Sequence, residues 1–154
     1  MDNVMIIRIV AGFMFLGVLA VGIVYIAYLS SVLSKCSPPS RTMEPGMVWL
    51  LLIPLFNIIW GFLVVLALAK SLANEFRLRN IPLDTPEPGK SVGLAMCICG
   101  AFGIIPFVNI ATGLAGFVLW ILYWVKIAGY SHMLDLALFA APPPMPPMPP
   151  APIS

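Results

Sequence analysis

Apolar residues in this chain form unbroken runs, with neither a two-residue alternation nor a single amphipathic stripe. Positions 9–34, 47–69 and 91–125 contain no Asp, Glu, Lys or Arg. A helix rises ~1.5 Å per residue and the hydrocarbon core of a bilayer is ~30 Å thick, so each run is long enough to cross it. Backbone amides in lipid must be satisfied within the protein, which leaves helices or closed barrels, and the runs lack the alternation of a barrel strand. The predicted fold is therefore all-α, an integral membrane helical bundle over 1–139, with a proline-rich tail over 140–154.

Breakers set the helix limits. The first helix, about 9–33, ends at Ser34-Lys35-Cys36-Ser37-Pro38-Pro39. The second, about 47–69, contains Pro54, which removes a helical hydrogen bond and should kink the helix or mark a break near its outer end. Its polar continuation puts Lys70, Asn74 and Arg77 on one face and Leu72 and Phe76 on another, as for a segment lying along the membrane surface. Residues 80–90, with Pro82, Pro86, Pro88 and Gly89, form a loop. The run 91–125 would make a helix of ~50 Å, too long for one span. Gly100, Gly103, Pro106 and Asn109 divide it into a third helix, about 92–105, and a fourth, about 110–128. The third is short enough to be either a tilted span or a re-entrant half-helix.

Charge supports this division. Four spans put Arg8, Lys70, Arg77, Arg79, Lys90 and Lys126 on one side and Lys35 and Arg41 on the other, with both termini cytoplasmic; three spans weaken the asymmetry. Trp120, Tyr123, Trp124 and Tyr130 then fall near the inner interface and Tyr28 and Trp49 near the outer, while Trp60 is expected inside the bundle. Ile53-Pro54-Leu55-Phe56-Asn57-Ile58 recurs as Ile105-Pro106-Phe107-Val108-Asn109-Ile110, and each copy precedes an apolar helix ending at Lys70 or Lys126. Duplication of a helical hairpin would produce this, as would coincidence in an Ile-rich chain whose helix ends favour Pro and Asn.

With 61% apolar and 9% charged residues, the chain lacks the polar surface of a soluble domain. A net charge of +2, spread between apolar runs, gives no nucleic-acid footprint. The first run exceeds the h-region of a signal peptide and is read as a retained helix. Cys97 and Cys99 point to nearly opposite helix faces and cannot chelate one ion together, whereas Cys36 sits in a polar loop where it should react with a thiol reagent from outside.

No catalytic, cofactor or metal site is expected. P-loop, His-Glu, paired-carboxylate and dinucleotide patterns are absent. His132 and Asp135, three apart, could touch as a surface pair, and Glu75 and Arg79 suggest an exposed ion pair. The candidate intramembrane polar positions are Asn57, Asn109 and Thr112, since an amide in lipid needs a partner, either a broken turn or another helix. The functional reading of the two asparagines places them around a polar solute. Gly12, Gly17 and Gly22 are small positions of the first helix. Gly93, Gly100, Gly103, Gly113 and Gly116 are the candidate helix-packing positions, the last forming a small-xxx-small pair with Thr112. The tail should be a polyproline II rod, serving as a stiff spacer or a docking ligand, and residues 130–139 before it suggest a short interfacial helix.

The segment Met43-Glu44-Pro45-Gly46-Met47-Val48-Trp49-Leu50-Leu51-Leu52-Ile53-Pro54-Leu55-Phe56-Asn57, with Ser71-Leu72-Ala73-Asn74-Glu75-Phe76 and Trp120-Ile121-Leu122-Tyr123-Trp124-Val125-Lys126, resembles a group of small uncharacterised bacterial multi-pass membrane proteins. The resemblance covers roughly residues 43–134 and implies a bacterial inner-membrane location, without an activity or functional residues. The expected partners are the lipid bilayer and either the chain itself or another membrane protein. Two roles are expected from the sequence: a non-enzymatic oligomeric or accessory subunit, or a small carrier or channel for a neutral or apolar solute.

Overall fold

The computed structural model describes residues 2–103, 105 and 108–140. Among them there is no strand. Four α-helices, α1 (Asn3–Lys35), α2 (Pro54–Leu78), α3 (Lys90–Phe102) and α4 (Asn109–Ala140), are joined by a 3-10 segment (Pro45–Leu52) between α1 and α2. Of these, α1, α2 and α4 are long and apolar enough to cross a membrane; α3, at 13 residues, is shorter than a usual span. The fourth helix continues well past residue 128 and absorbs the interfacial helix expected over 130–139. The proline-rich tail lies outside the described residues.

The helix order differs from a simple up-and-down bundle. Tyr25 packs on Trp120 and Trp124, and Lys35 reaches Asp135, so α1 and α4 run parallel. Val65 and Tyr123 both abut Gly93, and Phe76 meets Tyr130, so α2 and α4 are also parallel, with Lys70 level with Lys126. The descending passes are short ones, the 3-10 segment and α3. Asn3 and Ala140 therefore lie at opposite ends of the described bundle.

Proline chemistry explains the first descending pass. Pro54 has no N–H to continue a helix from the 3-10 segment and occupies the first position of α2 instead, while Ile53 is extended (φ −83°, ψ 110°). The expected helix 47–69 is thus broken, and its first residues run back alongside α1: Ser30 donates to the carbonyl of Pro45 (2.9 Å), and Trp60 Nε1 donates to that of Met47 (2.8 Å). The second pass, α3, ends at Phe102, and Asn109 opens α4.

These passes share a beginning as well as an end. Glu44-Pro45-Gly46 precedes the 3-10 segment, and Glu87-Pro88-Gly89 precedes α3. Each half carries Glu-Pro-Gly, a descending segment, an Ile-Pro-x-x-Asn-Ile sequence and a long ascending helix. The first descends as eight residues of 3-10 helix at ~2.0 Å rise and the second as thirteen of α-helix at ~1.5 Å, which covers similar heights with different lengths of chain. The described helices thus form two hairpins, the 3-10 segment with α2 and α3 with α4, preceded by α1.

Charge follows this architecture. Every Lys and Arg except Arg8 lies at the end where α1, α2 and α4 terminate. Lys70 and Lys126 are level, and Lys90 lies beside them, because Gly89 abuts Ile127. From Arg8 to Tyr28, which meets Trp124 just below Lys126, α1 covers ~30 Å, the thickness of the hydrocarbon layer. Residues beyond the three lysines form a packed head, in which Leu29, Leu33, Leu72, Phe76, Tyr123, Ile127 and Leu134 are fully buried at or next to that level. At the other end the chain is open, and residues 3–21 of α1 are all exposed.

Candidate functional site

Two polar features stand out, one in the head and one in the apolar layer. In the head, Ser37 donates to Glu75 Oε2 through both its backbone N–H (2.8 Å) and its hydroxyl, and Arg79 Nε donates to Oε1 at 2.6 Å. Thr42 N–H donates to Ser71 Oγ, Thr42 Oγ1 donates to the carbonyl of Ala67, and Asn74 Nδ2 donates to that of Ser40. These bonds lash the 36–44 loop to α2 between Ala67 and its C-terminal end. The expected exposed ion pair is therefore a buried one: Glu75 is 0% exposed and Arg79 only 10% by side chain. The tail of α2 likewise packs into the head with Leu72 and Phe76 buried, rather than lying along the membrane surface.

Glu75 lies past Lys70, beyond the apolar run. Burial pushes its carboxyl up, but the hydrogen bonds from Ser37 and Arg79 outweigh that and hold it below the ordinary carboxylate range. Asp135 does not pair with His132. It accepts from Lys35 Nζ at 2.7 Å, and Lys35 also donates to Ser131 Oγ, joining the ends of α1 and α4. These partners are 96 and 100 residues apart, so no local spacing could reveal them.

Cys36 is also relocated. It is 1% exposed in the head core, and burial, with Glu75 next, pushes its thiol up to about 12. In sealed vesicles with either face accessible, maleimide should leave Cys36 unmodified until the protein is denatured. Rapid modification in the native state would show that the head does not pack as described.

In the apolar layer, a cleft of about 600 Å³ opens between α1 and the α2–α3 pair. Phe15, Val18, Leu52 and Ile58, all exposed, border its mouth, and the buried Leu29, Val64 and Val65 close its head end. Asn57 lines it and makes no side-chain hydrogen bond to any described residue. Asn109 is not on this lining; its Oδ1 faces Gly103 and Gly113. Thr112 donates to the carbonyl of Val108 on its own helix, which satisfies its hydroxyl locally.

The candidate packing glycines separate into distinct environments. A Cβ on Gly93 would fall 2.5 Å from Val65 and 2.7 Å from Tyr123, making it the close-approach point of α2, α3 and α4. Gly116 meets Cys99 at ordinary contact distance, and Gly103 closely approaches the carbonyl of Gly100. Gly100 itself lines the cleft, and a Cβ added there would meet nothing within 4 Å. Among the described residues no three metal-ligating side chains converge. Comparison with protein-family models, curated proteins and solved structures gives no match.

Proposed function

We propose that this chain is a non-enzymatic multi-pass protein of a bacterial inner membrane that works by lateral association, as an oligomer or as an accessory subunit of a membrane complex. The carrying observation is α1. Its residues 3–21 are all exposed. A groove between α1 and α4 runs along this helix past Gly17 and Gly22, where a Cβ would meet nothing within 4 Å. Small residues on an open helix face let a second helix approach closely, and close packing drives association in lipid. The lysine-bearing head is assigned to the cytoplasm by the positive-inside rule, which places the start of α1 on the opposite face.

The carrier or channel reading draws on Asn57, but a route across the bilayer would have to pass the packed residues that close the cleft at its head end. Self-association is testable by subunit counting in nanodiscs. Gly17→Leu with Gly22→Leu should weaken it about tenfold or more, equivalent to ~1.4 kcal/mol, while leaving Cys36 protected. A wild-type chain that is strictly monomeric and brings no other membrane protein through purification would refute the proposal.

A further inference from the structure

The cleft between α1 and the α2–α3 pair shares Val18 and Gly22 of α1 with the α1–α4 groove but opens on the other side of that helix, and its chemistry is more specific than that of a packing surface. We propose that it binds a neutral, membrane-dissolved molecule with an apolar body and one carbonyl or hydroxyl group, which the carboxamide of Asn57 holds.

Depth is the first reason. Along α2, Asn57 stands about 20 Å from Lys70, within the hydrocarbon layer rather than at its lysine-bearing edge. An amide held there without a partner is costly. Two polar side chains of the same layer avoid that cost within the chain: Trp60 donates to Met47 and Thr112 to Val108. Asn57 has no such partner among the described residues and faces a cavity.

Size and charge define the occupant. About 600 Å³ lies within the range of small-molecule sites, and the lining is mostly apolar, with Tyr25 and Cys97 beside Asn57 as further polar side chains and no carboxylate or ammonium. An ionised headgroup would lose its hydration there and gain no counter-charge. A phospholipid keeps its ester carbonyls near its phosphate at the membrane surface, shallower than this amide. A neutral lipid such as a long-chain alcohol can sink its single polar group to that depth. The exposed border of Phe15, Val18, Leu52 and Ile58 gives it lateral entry from the bilayer.

The full chain, reconstituted in phosphatidylethanolamine–phosphatidylglycerol vesicles, can be photolabelled with a diazirine-bearing C18 alcohol or with a diazirine-bearing phosphatidylcholine. The alcohol probe should label peptides of the cleft in preference to other lipid-facing peptides, and unlabelled octadecanol should compete. Asn57→Leu should reduce that labelling about fivefold, the factor expected from one net hydrogen bond. Gly100→Phe, placed where a side chain meets open space, should block it, and continued protection of Cys36 certifies that each variant is folded. Equal labelling by both probes, insensitive to both substitutions, would show bulk lipid only. Labelling lost in Gly100→Phe but unchanged in Asn57→Leu would overturn the role of the amide and, with it, the ligand class.

Discussion

Glu75→Ala is expected to cost ~3 kcal/mol or more, seen as an apparent melting temperature in mild detergent about 10 °C lower and as exposure of Cys36 to maleimide. The carboxylate is fully buried and receives charge-assisted bonds from Ser37 and Arg79. Removing it leaves the Ser37 N–H without its acceptor and the nearly buried guanidinium without its counter-charge. Arg79→Ala should do less harm, because two donors from Ser37 would still hold the carboxylate. The pH dependence follows from the lowered carboxyl pKa. Its contribution is fully present above the ordinary carboxylate pKa and fades as the pH falls through the lowered value, so wild type should lose head stability in acid while Glu75→Ala shows a flatter profile. Equal melting temperatures for wild type and Glu75→Ala at neutral pH would mean that the loop is held by other contacts.

The same residue shows what a sequence conveys and what it omits. Apolar run length identifies the membrane helices because the bilayer imposes a length that can be counted directly. Pro54 marks a break, because proline acts on its own backbone. Spacing also places Glu75 beside Arg79, four residues on, but it cannot report that the 36–44 loop folds down over the pair and buries it. Direction was hidden for a related reason. Eight apolar residues of 3-10 helix look, by hydropathy, like the beginning of a span, so the return pass between α1 and α2 is invisible until Ser30 is seen bonded to Pro45 and Trp60 to Met47. Once that pass is counted, the division of basic residues becomes sharper than four alternating spans allow, with Arg8 alone at the far end.

The cleft was legible only as a pair of unsatisfied amides. Asn57 and Asn109 occupy matching places in the two Ile-Pro-x-x-Asn sequences, yet one lines the cavity and the other faces glycines of its own hairpin. The α2/α4 register accounts for this. With Lys70 level with Lys126, the four-residue difference in Asn-to-Lys spacing sets Asn57 about one helical turn nearer the lysines than Asn109. Sequence equivalence between the hairpins therefore does not amount to equivalence of position in the membrane.

Gly93→Leu should prevent the folded bundle from accumulating, and Gly93→Ala should destabilise it by ~1–3 kcal/mol. The methyl that alanine adds would meet Val65, whose branched side chain has little rotamer freedom in a helix, and Tyr123, which is 1% exposed and cannot swing into open space. Gly100→Ala on the same helix supplies the contrast: its Cβ meets nothing within 4 Å, and alanine favours helix over glycine by ~1 kcal/mol, so that variant should be as stable as wild type or more so. Thermal unfolding of the two variants side by side separates close packing from helix propensity. Combining Gly93→Ala with Val65→Ala should recover part of the loss, because the second change vacates the space that the added methyl needs, giving a favourable coupling in the double-mutant cycle. If Gly93→Ala melts with wild type, then α2, α3 and α4 do not converge at this glycine, and the parallel register of α2 and α4 loses one of its two supports.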